Sequence, residues 1–266
     1  MPVYTIGMTD ATDVLYEFDT DYGHYQVVDM IYDGRPARVL FSGERRAAQS
    51  GLATDDNDDL LFDYNQRMFE LVAGHHPKRL LLIGGGMYTL PMALLAELPD
   101  IIIDVVELDN GLEPVARQYF GLDSNERLRI IHDDGLTFIA TNDVRYDMIL
   151  IDAYSHDLAE PSLGSAEAVS HLTRALTPGG VIVSNVIASY FGRRSQALRR
   201  LMDHYQEQQY GDVALFPASQ SLSLWLPQNL ILTAQLSAET NLDQHLRYQR
   251  LADTTRPFNL SRDLMR

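Results

Sequence analysis

Cysteine is missing altogether from the 266 residues, tryptophan occurs once, and basic side chains number only 21 against 37 acidic ones. The first absence excludes disulfide staples, thiolate nucleophiles and Cys-type zinc sites. The charge imbalance leaves a formal net charge of −16 with His neutral. That repels phosphate backbones and leaves nothing to drive counterion release, so no nucleic-acid partner is expected. The same surplus serves solubility and, gathered in a cleft, attracts cationic substrates. Long apolar stretches are lacking too: runs such as Leu80–Ile83 fall far short of the roughly 20 residues a spanning helix needs. The first residues are acidic rather than a basic leader, so neither membrane nor export is expected and the cytoplasm is the expected location.

What is present is an ordinary globular composition, 45% hydrophobic and 22% charged, enough for one large domain or a full domain with a small one. Residues 1–57 alternate short β-prone runs with turn signals: Asp21-Tyr22-Gly23, then Tyr25–Ile31, Asp33-Gly34-Arg35-Pro36, Arg38–Phe41 and Ser42-Gly43. That spacing predicts hairpins in a small antiparallel unit. Ala53–Asp59, with four Asp and one Asn, reads as a linker or helix N-terminus. From about Leu60, helix-length segments alternate with unbroken apolar runs. Strands are predicted at Arg79–Ile83, Ile101–Glu107, Leu128–His132, Tyr146–Ile151 and Val181–Val186. Helices are predicted at Leu61–Ala73, Thr89–Leu98, Gly111–Phe120, Gly135–Ala140 and Ala166–Leu176. Continuous apolar strands are what a sheet buried on both faces requires, so residues 58–266 are expected to fold as a doubly wound, mostly parallel, seven-stranded Rossmann-like α/β sheet. After an amphipathic helix at Arg193–Gln208, strands at Val213–Phe216 and Leu230–Ala234 leave no room for a crossover helix, so an antiparallel pair closes the edge.

The chemistry gathers at strand ends. Leu80–Ile83 runs into Gly84-Gly85-Gly86 ahead of a helix, a bend where backbone approaches a ligand and a helix N-terminus offers free N–H groups. A dinucleotide fingerprint needs its third glycine at Thr89, so a nicotinamide cofactor is not expected. Glu107 ends the next strand 23 positions after Gly84, the place of an acidic side chain that accepts ribose hydroxyls. Asp133-Asp134-Gly135 and Asp152 follow at two further strand ends. Four such ends point into the crevice where open α/β sheets hold their ligands. His75-His76 have no partner at a ligand spacing, so they read as surface and no metal is expected; Trp225 reads as edge packing and His156 as a loop residue.

These residues resemble the spermidine synthase-like branch of the class I S-adenosylmethionine-dependent transferases. The matching pieces are Gly23-His24-Tyr25-Gln26, Gln49-Ser50, Tyr64, Gly84-Gly85-Gly86, Val106-Glu107-Leu108-Asp109, Ala116–Phe120, Asp134-Gly135, Tyr146–Asp152 and Leu176-Thr177-Pro178-Gly179-Gly180. The resemblance implies a nucleoside held by the glycine bend with Gln49, Glu107 on the ribose, and Asp134 with Gly135 at the adenine. It implies Asp152 as catalytic base with Tyr64 beside it, Gln26 near the acceptor, and a homodimer. A sulfonium donor is already an activated electrophile, so no metal is needed; the protein aligns an amine and removes a proton. An alkylamine with a pKa of about 10.4 must be deprotonated at pH 7 at a cost on the order of 4–5 kcal/mol, work for a positioned carboxylate such as Asp152.

Two departures shape the expectation. Aminopropyltransferases carry Asp after the three glycines, facing the ammonium of decarboxylated S-adenosylmethionine; here Met87 stands there, followed by Tyr88. Their Asp-Ser-Ser-Asp-Pro run reads Asp152-Ala153-Tyr154-Ser155-His156-Asp157, so Tyr154 and Asp157 are the candidates for the acceptor in place of Ser155. The expected function is alkylation of a small amine by S-adenosylmethionine or its decarboxylated form, the balance favouring methyl transfer. The alternatives are a true spermidine synthase and a non-catalytic nucleoside-binding scaffold or sensor. Met87 and Tyr88 side chains filling the crevice would exclude catalysis.

Overall fold

The computed structural model describes residues 13–43, 47–55, 59–153, 163–192, 195–208, 210–219 and 226–237, which form two sheets. The first is an antiparallel meander of β1 (Asp13–Thr20), β2 (Gly23–Tyr32), β3 (Arg35–Ser42) and β4 (Ala47–Ala53). Asp33 and Gly34 both take positive φ, the conformation a two-residue hairpin turn requires. The fourth strand is not legible in its residues: Ala-Ala-Gln-Ser-Gly-Leu-Ala has no β-branched or aromatic member, and pairing with β3 makes it a strand.

Helix α1 (Asp63–His75) leads into the second sheet: β5 (Arg79–Ile83), α2 (Thr89–Glu97), β6 (Ile102–Glu107), α3 (Leu112–Tyr119), β7 (Leu128–His132), α4 (Gly135–Thr141) and β8 (Tyr146–Ile151). It continues through α5 (Ala166–Ala175), β9 (Leu176–Ala188), α6 (Gln196–Glu207), β10 (Tyr210–Pro217) and β11 (Gln228–Leu236). The seven strands lie in the order β10-β11-β9-β8-β5-β6-β7, with the five from β9 to β7 parallel and β11 antiparallel to both β9 and β10. The predicted parallel strands and the antiparallel closing pair are therefore present. One strand is longer than its apolar run: β9 starts at Leu176, which pairs with Tyr146, and the register then jumps so that Val181 meets Met148. Thr177–Gly180 is thus a bulge within the strand, with Gly179 at φ +79°.

Two apolar layers flank this sheet. One joins α1, α2 and α3 to Tyr25, Val27, Leu40 and Leu52 of the first sheet, so the meander closes one side of the core. The other packs α4, α5 and α6 on the opposite face. Leu80, Leu81 and Leu82 are alternately claimed by the two layers and are essentially unexposed, which is why the run is unbroken. Among the described residues no helix is long and apolar enough to cross a membrane.

At the amino-terminal end of the sheet one carboxylate is buried on purpose. Asp104 is 1% exposed; its Oδ2 accepts from Arg79 (3.1 Å), Arg129 (3.3 Å) and the Tyr146 hydroxyl (2.8 Å), and its Oδ1 lies 3.1 Å from Arg129 Nε. Neighbouring strand starts supply the partners, so the cluster ties β5, β6, β7 and β8 together.

Candidate functional site

The opposite, carboxyl end of these strands carries the site. β5 connects to β6 on one side and pairs with β8 on the other, so the chain reverses direction across the sheet at Ile83 and opens a crevice there. Gly84 follows at φ +93° and presses against the next strand's exit: a Cβ on it would lie 2.6 Å from the Asp152 carbonyl oxygen. A side chain here would push β5 and β8 apart. Gly86, at φ +52°, leaves a Cβ no room against Ser50 Oγ, 2.5 Å away. Ser50 is buried and accepts the Met87 N–H at 3.2 Å, so β4 of the meander supports the bend from outside the Rossmann sheet.

Glu107 occupies the bend directly. Its Oε2 accepts the N–H groups of Gly85 (2.7 Å) and Gly86 (3.0 Å), and its Oε1 accepts that of Asp109 (2.9 Å). A carboxylate has about four acceptor positions, so one remains on Oε1 for a hydroxyl donor. Asp109 extends the chain of contacts: Oδ2 accepts from Thr20 Oγ1 at 2.6 Å and Oδ1 from the Gly111 N–H at 3.0 Å. Burial, reinforced by Asp109, pushes the neighbouring Tyr25 hydroxyl up to about 12. The first hairpin turn is thereby fastened to the strand end that bears Glu107.

On the other flank Asp134 caps α4. Its Oδ1 accepts from the Thr137 N–H (2.9 Å) and hydroxyl (3.1 Å), leaving Oδ2 outside these bonds. Gly135 sits so close to Ile83 that a Cβ would meet Cγ2 at 2.6 Å. Asp152, directly after β8, accepts from Asn185 Nδ2 at 2.9 Å. Burial pushes its carboxyl up to about 7; the Asn185 hydrogen bond opposes that shift and the nearby charge of Glu107 adds to it.

Among the described residues, those expected at the site fall into three groups. Gly84, Gly85, Gly86, Glu107, Asp134, Gly135 and Asp152 lie together at the strand ends. Gln49 and Tyr64 meet each other, the Tyr64 hydroxyl donating to the Gln49 carbonyl at 3.3 Å, one residue from Ser50. Gln26 bonds across the meander to Glu17 (2.9 Å), away from the bend's own contacts. Tyr154, Asp157, Ser155, His156 and Trp225 lie outside the described residues. Met87 and Tyr88 are completely buried in the apolar layer with Leu82, Val105 and Val115, and the Tyr88 ring packs against Gly85 of the bend. His75 departs from the surface reading, being half-buried with its imidazole pKa lowered by that burial. Asn185 and Ser50 are the groups that sequence reasoning did not assign to the site. Each is a single polar residue inside a strand, and only the pairing register aims it.

The strand order and the crevice at its reversal define a class I methyltransferase-like fold. Within that class the chain belongs to the spermine/spermidine synthase domain family, which residues 61–208, more than half of the chain, match. Over 149 residues it is 35% identical to the polyamine aminopropyltransferase of Streptococcus uberis, covering 53% of this chain and 51% of that protein. Over 212 residues it is 28% identical to the human eEF1A lysine and N-terminal methyltransferase, covering 74% of this chain and 27% of the relative. The chain thus spans about half of one of these relatives and about a quarter of the other. A crystal structure of a probable spermidine synthase from Corynebacterium glutamicum superposes with a TM-score of 0.72 at 17% identity, over 90% of this chain and 88% of that one.

Proposed function

We propose that the protein is an S-adenosylmethionine-dependent transferase that alkylates an amine, with Asp152 as the general base. The observation that carries this is the Asp152 carboxyl: it stands at the switch-point crevice, is held by one hydrogen bond, and is tuned to about 7, where a base both accepts a proton and is free to do so at neutral pH.

The residues fit the nucleoside of the donor. Glu107 keeps one acceptor position for a ribose hydroxyl after fastening the bend, and Asp134 keeps Oδ2 for the adenine amino group after capping α4. When bound, S-adenosylmethionine or its decarboxylated form supplies the sulfonium electrophile. Asp152 takes the proton from the acceptor ammonium and frees the nitrogen lone pair. The carboxylates at the crevice favour a cationic acceptor, and Tyr64, bonded to Gln49, borders the approach from the meander. Methyl transfer is the form we favour, because Met87 stands buried in the apolar layer where an aminopropyltransferase has an aspartate. By resemblance we assign Gln26, Tyr154 and Asp157 to acceptor binding, and the boundary between a β domain and the transferase domain to residues 57 and 58. Titration calorimetry with both donors tests the assignment: S-adenosylmethionine is expected to bind at least tenfold more tightly. Tighter binding of the decarboxylated donor reverses the preference, and binding of neither removes the reading.

A cytoplasmic homodimer completes the proposal. β1 is the edge of the meander and exposes Val14, Leu15 and Tyr16, with Tyr22 in the adjoining turn, an apolar edge suited to a second copy. Equilibrium sedimentation at tens of micromolar should give twice the 30.0 kDa chain mass. A monomer there would remove the dimer from the proposal and leave the chemistry intact.

A further inference from the structure

Asn185 lies on β9, beside the end of β8. The parallel register pairs Ile151 with Ser184, so the next residues along lie side by side, Asp152 just past the end of β8 and Asn185 still within β9, where it pairs with Ile231 of β11. The amide Nδ2 donates to Asp152 Oδ1 at 2.9 Å. The amide Oδ1 is buried and has no hydrogen-bond partner among the described residues. A buried carbonyl oxygen without a donor is unfavourable and uncommon in folded proteins, and one sitting beside a base at a crevice calls for a ligand donor.

We propose that Asn185 is the second grip on the acceptor: its Nδ2 positions Asp152, and its Oδ1 accepts an N–H of the nucleophilic nitrogen, which makes the site selective for a primary amine over an alcohol or phenol. This rests on the amine-transferase reading above. A primary ammonium has three N–H bonds. One breaks as its proton passes to Asp152 Oδ2, leaving the electron pair on nitrogen, and one of the two that remain is held by Asn185 Oδ1. The freed pair then forms the new N–C bond as the C–S bond of the sulfonium breaks, its electrons staying on sulfur. The positive charge moves from sulfur to the alkylated nitrogen, and Asp152 afterwards gives its proton to solvent. A hydroxyl has a single hydrogen. Once that goes to Asp152, nothing is left for Asn185, and the buried oxygen stays unsatisfied through the reaction.

Among the described residues, the groups facing Asp152 are Glu107 from β6 and Asn185 from β9, with Gly84 of the bend contributing only backbone. Asn185 therefore has a pH signature that a packing residue lacks. The test measures methyl transfer to a panel of primary amines and matched alcohols across pH 5–9, for the full chain and for Asn185→Ala, Asn185→Ser and Asn185→Asp. Calorimetry with S-adenosylhomocysteine and thermal melts accompany it. In Asn185→Ala and Asn185→Ser the amine KM is expected to rise about tenfold or more. The acid limb of kcat/KM moves to higher pH, because a bond favouring the carboxylate is gone, while S-adenosylhomocysteine affinity stays within twofold. Asn185→Asp should move the acid limb further, through like charge, yet recover much of the amine KM above it because an acceptor is restored. Folded alanine and serine variants with wild-type KM and an unmoved acid limb would overturn this inference alone. Wild-type protein that binds the nucleoside but alkylates no amine would overturn the proposed function and this inference with it.

Discussion

Asp152→Asn is expected to abolish transfer, by about 10²–10⁴-fold in kcat, while making the protein more stable at pH 8. Both effects follow from the same burial. The folded protein keeps the Asp152 proton up to about pH 7, whereas the unfolded chain releases it near 3.8. Between those values the native state binds more protons than the unfolded one, so stability falls as pH rises through the window. A difference of about three units corresponds to an effect on the order of 4 kcal/mol once the group is ionised. Asparagine carries no such penalty and still accepts the Asn185 bond. Melting curves of wild type and variant should therefore coincide near pH 4 and separate by several degrees at pH 8, the variant melting higher. A variant that melts lower at pH 8 would show that Asp152 is a structural cap, and would remove the base from the mechanism. The opposed signs of activity and stability are what separate a strained catalytic group from a satisfied one.

Asp104→Leu should be the most damaging single substitution away from the crevice, at about 3–5 kcal/mol. Leucine fills the volume but leaves two guanidinium groups without their counter-ion and the buried Tyr146 hydroxyl without an acceptor. Arg79 and Arg129 are partly exposed and can turn to water; Tyr146 cannot. Most of the loss should therefore be relieved by pairing Asp104→Leu with Tyr146→Phe, and urea denaturation of the two single variants and the double variant measures that coupling. Full additivity of the two substitutions would mean that the hydroxyl and carboxylate do not depend on each other.

How much of this could be read from the chain differs by element. The central strands were legible because burial on both faces demands unbroken apolar runs, and Leu80–Ile83 and Tyr146–Ile151 supply them. β4 was not, since its small residues have no strand preference and adopt one only against β3. Nor was the start of β9 readable, because Pro178 and two glycines read as a turn, whereas the sheet absorbs them as a bulge. At the site, glycines and carboxylates announce themselves at strand ends. Asn185 and Ser50 do not, because a lone polar residue in a strand takes its meaning from the neighbour that the register gives it. The bulge at Thr177–Gly180 sets that register for Asn185, and no pattern in the sequence encodes its size.

The fastening of Thr20 to Asp109, and of Ser50 to the bend, gives the meander a second role besides covering apolar surface. It acts as a brace for the glycine-bend end of the crevice, reaching across from a part of the chain that the family match at residues 61–208 omits. A version trimmed to the family boundary would keep Glu107 and Asp152 but leave the bend beside them unsupported on one side. Any such trimming has to start ahead of Thr20.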